Sequence, residues 1–389
     1  MDVTKLRAWY WHKQGLDGSL KGTQPAEVLA RTGWARSVGG VGPYLALFAR
    51  AGTSREAADA AVQELEIHEL PSARACTYVL PAADFALGLA VGRSHAGAEM
   101  KVAAKLGVTE KEIDKLCEAV LKALAEKALD PNEIREATGS ASRSLGEEGK
   151  KKGLTTTLPL ALGRLQSSAE IRRVPLNGRL DQQRYKYVLW KPSPLKGCKL
   201  SEEEAAVELA WRYFAWIGPA AVAEFQEFAG LGVKAAKAAV EPLKLEAMEP
   251  GSDRFVLPGD RAKLAAFKAP TDAHYALVTW VDSINLLRGD EKGMVDTEDL
   301  GHDYFEEKDH LSPIILDRGR LVGLWEFDSF AGKIVWFTFG KKNRDMEKAV
   351  ERTEEYVREQ LGDARSFSLD SPKSRAPRVE ALRKLAHGR

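Results

Sequence analysis

One pattern, met twice along the chain, constrains its fold more than any other feature. A long amphipathic helix is followed by two shorter helices entered through a Pro-containing turn, and then by a two-stranded hairpin carrying basic residues. The first copy runs from Thr109 to about Trp190 and the second, more compact, from Ser201 to about Leu257. That order of elements is the grammar of a winged helix-turn-helix unit. In the first copy Thr109-Glu110-Lys111-Glu112 reads as a capping box, and Ile113, Leu116, Val120 and Leu124 recur at helical spacing. Asp130-Pro131 opens the next helix, which stops near Gly139. A polar segment from Ser140 to Gly153 leads through Thr155-Thr156-Thr157 into a helix ending near Gln166, at the recognition-helix position. The strands Ile171 to Val174 and Arg184 to Leu189 are joined through Asn177-Gly178, a strong turn signal.

The second copy is capped by Ser201-Glu202-Glu203-Glu204, is broken at Gly218-Pro219, and closes on a small hairpin across Pro250-Gly251-Ser252-Asp253. A less regular version precedes both, with helices over 2–14, 24–32, 44–50 and 54–65 and a hairpin over 67–80 interrupted at Pro71. Beyond Ala262 the grammar changes to strands near 275–280, 313–316, 321–327 and 334–339, then a helix over 345–361 and a basic tail from Lys373. The expected fold class is therefore α+β: three tandem winged helix-turn-helix domains over 1–100, 101–198 and 199–260, followed by a β-rich C-terminal domain over 261–389.

Charge is informative only in its distribution. The 389 residues carry a net charge of +1, so the chain is no polybasic coat. Between Ala141 and Trp190, however, ten positive residues (Arg143, Lys150, Lys151, Lys152, Arg164, Arg172, Arg173, Arg179, Arg184 and Lys186) stand against four negative ones, an excess of six. They fall on the loop before the recognition helix, on that helix and on the wing, the parts of a winged helix that approach a duplex. Thr155 and Thr156 add hydroxyls beside a helix start. A solvated basic face is the plainer reading of the same charges. The expected partner is double-stranded DNA, bound by a monomer.

Other classes receive little support. No apolar run reaches the roughly 18 to 20 residues that span a bilayer, and Met1-Asp2-Val3-Thr4-Lys5-Leu6-Arg7 lacks a secretory pattern, so no membrane is expected and the place of work is the cytoplasm, at the nucleoid. The three cysteines are too scattered for a zinc finger or disulfide framework. His302, Asp303, Glu306 and His310 match no metal-site spacing and read as a solvated loop in the acidic stretch 290–309, which would face away from phosphates. No cofactor is expected, because the glycine-rich turn at 39–42 lacks the strand-turn-helix context of a dinucleotide site.

Five segments, in order, resemble a bacterial winged-helix DNA-binding family that includes DNA glycosylases acting on alkylated bases and interstrand crosslinks. They are the runs Gly42 to Arg50, Ser72 to Asp84, Arg212 to Ala220, Trp280 to Leu287 and Val322 to Trp325. The resemblance implies a C-shaped, DNA-embracing surface. It also implies a catalytic Gln-x-Gln or Gln-x-Asp signature just before Pro43, where this chain has Arg36-Ser37-Val38. A glycosylase must hold a water against the anomeric carbon and stabilise an oxocarbenium-like transition state, which calls for a carboxylate or amide acceptor. Arginine only donates and valine is apolar, and no Gln, Glu or Asp lies from Ala35 to Arg50. The family's Arg-x-x-x-His element keeps Arg74 but has Tyr78 in place of histidine.

Three functions follow from these residues. The first is a DNA-binding relative of the repair glycosylases with lost or altered catalysis, in which Arg36, Ser37 and Arg74 contact DNA. The second is an active glycosylase with a divergent catalytic group, and the third a transcription regulator. A turn at 36–38 that only anchors the first domain is the bland alternative to a functional role there.

Overall fold

The structure, a computed structural model, describes residues 2–182, 184–289, 292–299 and 312–387. Helix α1 (Val3–Lys13) is capped by the Asp2 carboxylate, which accepts from the Thr4 amide at 3.0 Å. It buries Trp9 and Tyr10 on one side and Trp11 on the other, because it lies between two cores. Then come α2 (Pro25–Thr32), β1 (Ala35–Arg36), α3 (Gly42–Ala51), α4 (Arg55–Gln63), β2 (Ile67–Pro71) and β3 (Thr77–Pro81). The three strands form an antiparallel sheet in the order β1-β3-β2, with Arg36 opposite Tyr78 and Glu69 opposite Val79.

The sequence reading assigned no element to 85–104, which forms the 20-residue helix α5 (Phe85–Ala104). Its fit against the sheet depends on small residues: a Cβ on Gly92 would stand 2.7 Å from the Pro71 carbonyl oxygen. Helix α5 carries the chain to a core of its own, built from α6 (Glu110–Leu124), α7 (Pro131–Thr138), α8 (Gly146–Lys151), α9 (Leu158–Ser167) and the hairpin β4 (Ile171–Pro175) and β5 (Tyr185–Leu189). Thr109 caps α6 by accepting from the Glu112 amide, but the Glu112 carboxylate turns to Arg143 at 2.6 Å and leaves the expected capping box open. The box closes instead at α7, where Asp130 and Glu133 satisfy each other's backbone amides. Helix α8 lies within what the sequence reading took as a polar segment.

Next in order are α10 (Glu202–Ile217), β6 (Ala220–Ala221), α11 (Val222–Ala229), α12 (Val233–Val240), β7 (Glu246–Ala247), β8 (Arg254–Val256) and α13 (Asp260–Ala266). Helices α10, α11 and α12 share a core with α1, α5 and the Tyr78 face of the first sheet. The rest is a four-stranded antiparallel sheet, β9 (Tyr275–Val278), β10 (Ile314–Asp317), β11 (Arg320–Asp328) and β12 (Lys333–Thr338), in the order β12-β11-β10-β9. The short helix α14 (Ser283–Leu286) follows β9, α15 (Arg344–Tyr356) packs on one face of the sheet, and the basic tail is the helix α16 (Pro372–His387) against β11 and β12.

A buried polar knot joins the beginning of the chain to its last third. The Arg50 guanidinium makes two charge-assisted bonds to Asp282, at 2.7 and 2.8 Å, and reaches Gln14 and Ser283. The Gln14 amide in turn donates to the backbone carbonyls of Thr32 and Trp216. Both charged side chains are 1% exposed, so removing either partner strands the other in a medium that cannot solvate it. His302, Asp303, Glu306 and His310, the metal candidates weighed from sequence, lie outside the described residues.

Candidate nucleic-acid interface

The three-residue run Arg36-Ser37-Val38 leaves β1 and points its members to different places. The Arg36 guanidinium donates to the Thr77 carbonyl at 3.1 Å and lies 5.3 Å above the Tyr78 ring, with no carboxylate partner among the described residues. It is a half-buried cation held in a defined pose by a ring and one carbonyl. Burial raises the Tyr78 hydroxyl to about 12, against the lowering effect of Arg36, so this residue stays a neutral platform. Ser37 turns to the opposite face, where it is 4% exposed and donates to the Glu69 carboxylate. In this structure the Ser37 hydroxyl is therefore engaged within the sheet rather than turned to solvent. Beyond it, the tail closes over the glycine-rich turn: Ser368 donates to the Val38 carbonyl at 3.0 Å and Val41 to that of Arg365 at 2.9 Å. A Cβ on Gly40 would stand 2.4 Å from the Ser366 backbone, which is why glycine occupies this position.

At the far end of the sheet, β2 and β3 are joined by a tight turn closed by bonds from Cys76 to Ala73 (3.0 Å) and from Ser72 to Cys76 (2.8 Å). Its two central residues, Arg74 and Ala75, have φ of 56° and 54°, the left-handed pair that such turns normally fill with Asn-Gly. Each L side chain there costs on the order of 1–2 kcal/mol. Arg74 is 57% exposed, and its one ion pair, to Glu227 at 3.3 Å, is exposed on both sides. An exposed pair of this kind contributes about 0–1 kcal/mol, too little to account for the strain.

Behind this turn opens a cleft of about 630 Å³ between β2-β3, α5 and α9, lined among others by Ser72, Thr77, Arg93, Arg164, Gln166 and Arg173. The Ser72 hydroxyl is buried there without a hydrogen-bond partner. Arg173 lies 5.1 Å over the Tyr185 ring; burial opposes its charge, but Tyr187, Glu69 and Tyr185 together raise its pKa. Arg164 is clamped by Glu110 and by Asp114, the latter at 2.7 Å. It contributes to the cleft wall as part of a charge cluster with these two carboxylates.

The remaining basic candidates separate into two groups. Lys150 and Lys151 sit on α8, each more than two-thirds exposed and paired only with Glu147 (3.8 Å) and Glu148 (2.7 Å) on the same helix, and Lys152 follows them at its end. Thr155 is exposed, Thr156 is half-buried and bridges to Ser144, and Arg184 is exposed. Lys186 pairs loosely with Glu133 at 3.5 Å, and Arg172 is half-buried beside His68. Arg179 belongs elsewhere: it pairs with Asp181 and donates to the Leu361 carbonyl at 3.0 Å. Its neighbour Leu180 is 2% exposed, and the Leu180 amide donates to the Tyr44 hydroxyl. The segment between β4 and β5 is therefore docked on α3 and on the helical turn that follows α15, and Arg179 is held there rather than extended into solvent.

Two polar residues of β2 were missed in the sequence. His68 is fully enclosed between Phe85 and Trp190, its Nε2 without a partner, and burial first, then Arg172 and Arg173, lowers it to about 3. Glu69 is 7% exposed, accepts from Ser37, and is faced by Tyr185 and Arg173. Alternation along Ile67-His68-Glu69-Leu70 placed one of them on each face, but a strand pattern alone gives no sign that both faces are buried.

A family model described as DNA glycosylase AlkZ-like matches residues 41–364. The chain belongs to the AlkZ-like DNA glycosylase family. The Streptomyces sahachiroi DNA glycosylase AlkZ has a similar fold, with a TM-score of 0.69 over 94% of this chain and 98% of that one, at 19% identity. No curated protein matches the sequence. The matched range excludes Arg36-Ser37-Val38 at one end and the tail segment that covers it at the other, so the two flanks outside the matched range meet in the fold. No helix among the described residues is long and apolar enough to cross a membrane.

Proposed function

We propose that this family member grips duplex DNA as a monomer through three tandem winged-helix domains, divided as the sequence suggests, and holds a damaged or distorted site at the cleft beside the β2-β3 turn. The family's amide acceptors have been replaced, so catalysis is lost or altered relative to its relatives. The observation that carries this reading is the strained turn, which displays Arg74 to solvent at a cost in backbone energy that no contact of its own offsets. Arg36, unpaired with any acid among the described residues, stands on the same sheet and is bonded to Thr77 of the cleft wall. The exposed lysines of α8, with Thr155 and Arg184, supply backbone contacts on the second domain. Four helices followed by a hairpin (α6 to α9, β4-β5) and then three followed by another (α10 to α12, β7-β8) support the winged-helix description.

The test is a binding titration by fluorescence anisotropy, with duplexes that do or do not carry one N7-methylguanine, over a series of salt concentrations. Binding that weakens linearly with log salt and favours the lesion is expected. Salt-independent binding, or none, would refute the reading.

A further inference from the structure

We infer that Glu69 takes over the acceptor role in this chain, holding and deprotonating the water that attacks the sugar of a damaged nucleotide. The inference rests on the lesion-binding reading above and makes the catalysis altered rather than lost.

Hydrolysis of an N-glycosidic bond needs an anionic or amide acceptor near the anomeric carbon, and the segment 35–50 contains none. The fold supplies one from the neighbouring strand. Ser37, the residue between the two signature positions, donates its hydroxyl to the Glu69 carboxylate across the middle strand of the sheet. No cation lies within 4.0 Å of that carboxylate among the described residues; Arg173 and Tyr185 face it from the β4-β5 hairpin without neutralising it in a tight pair. Glu69, 7% exposed, lies directly behind Pro71, Thr77 and Arg173, which form the cavity wall on the sheet and hairpin around it. At about 630 Å³ the cavity is of the size that accepts one everted nucleotide. Arg173 is placed to meet a phosphate oxygen of such a nucleotide.

The balance of the step is simple. The water oxygen forms a bond to C1′ as the C1′–N bond breaks. The electron pair leaves on the base nitrogen, cancelling the positive charge of an N7-alkylated purine. The water proton passes to the Glu69 carboxylate and then to solvent. Ser37 positions that carboxylate by occupying one of its oxygens.

The experiment uses the full chain and a duplex with one N7-methylguanine, with binding followed by anisotropy and base release by alkaline cleavage of the abasic site. The wild-type protein should release the base, and Glu69→Gln should bind within about threefold while releasing it at least about 10²-fold more slowly. Thermal melts establish that Glu69→Gln is folded. Ser37→Ala, which keeps the carboxylate but removes its donor, should lower kcat for base release about tenfold with binding within about threefold, and Ser37→Thr, which restores a hydroxyl, should recover the rate, a rescue that a purely structural role would not produce. Binding without base release by the wild type overturns this inference and leaves the lesion-binding reading standing. Undiminished release by Glu69→Gln, or an unchanged kcat in Ser37→Ala, also overturns it. Failure of the wild type to bind at all overturns both.

Discussion

Replacing Ala75 by glycine should stabilise this protein, against the usual direction of such a change. Alanine at φ 54° carries about 1–2 kcal/mol of left-handed strain, which glycine does not. Glycine gives back about 0.5–1 kcal/mol through the greater freedom of the unfolded chain. The net expectation is a gain of about 0.5–1 kcal/mol. The control is Ala60→Gly on the exposed face of α4, where φ is helical and the same swap should lose about 0.5–1 kcal/mol. Arg74→Gly should also stabilise, because it relieves the same kind of strain and removes only the exposed pair with Glu227. The two turn variants should part company on DNA. Ala75→Gly leaves the guanidinium in place and should bind as the wild type does; Arg74→Gly removes one phosphate contact and should lower the salt slope by about 0.9. Denaturant unfolding measures the first quantity and anisotropy over a salt series the second. If Ala75→Gly loses stability as Ala60→Gly does, the strain argument fails. If Arg74→Gly binds with the wild-type slope, the strain is not there to display that side chain to DNA.

Other expectations concern groups around the same cleft. His68 is held neutral, lowered to about 3 by burial and by Arg172 and Arg173, so the unfolded chain takes up a proton first as pH falls through the ordinary histidine range near 6.5. Its contribution is intact above that range and is lost progressively between about 6.5 and 3. Between pH 6.5 and 5 the loss is about 2 kcal/mol, and His68→Phe, shaped to fit between Phe85 and Trp190, should remove it in denaturant titrations at pH 7.5 and 5.0. Equal pH sensitivity in both proteins would refute this. Reversing Lys150, Lys151 and Lys152 to glutamate should reduce the salt slope by between about 1 and 3, with the melting temperature nearly unchanged, because all three side chains are exposed. An unchanged slope means that α8 does not face the duplex. Arg179→Ala should do the reverse, lowering stability by about 1–3 kcal/mol through the stranded Asp181 carboxylate while leaving the salt slope alone. A reduced slope in that variant would return Arg179 to the DNA face.

What could be read in advance followed from local chemistry. Asp130-Pro131, Ser201 and Ser54 announce helix starts because a side-chain oxygen beside a free amide does the same work in any fold, and each caps its helix here. The strands from β9 to β12 were legible through their short, largely apolar runs and their Gly turns. Helix α5 was not, since its glycines and alanines answer to a sheet edge supplied by another part of the chain. The same holds for the site. Basic residues were countable, but whether each is free depends on partners distant in sequence: Arg164 meets Glu110 and Asp114 from α6, and Arg179 meets Leu361 from the C-terminal domain.

The docked hairpin limits how the unit over 101–198 could meet a duplex in the proposed way. A wing that probes DNA needs a tip free to follow the groove, yet here the stretch before β5 is fixed through Leu180 to Tyr44, through Arg179 to Leu361, and through the Asp181 carbonyl to Arg365. The Tyr44 hydroxyl is kept protonated by burial and by the Asp59 carboxylate it donates to, and Asp59 is paired in turn with Arg55. These bonds tie α3, α4, the hairpin and the tail into one body, and Arg365 belongs to the tail segment that also covers Val38 and Gly40. The network fixes the far end of the β4-β5 hairpin, the element from which Arg173 reaches the cleft wall. On the proposed function, a nucleotide reaches this cleft only after eversion from the helix, and specificity would then come from how easily a damaged base leaves its stack.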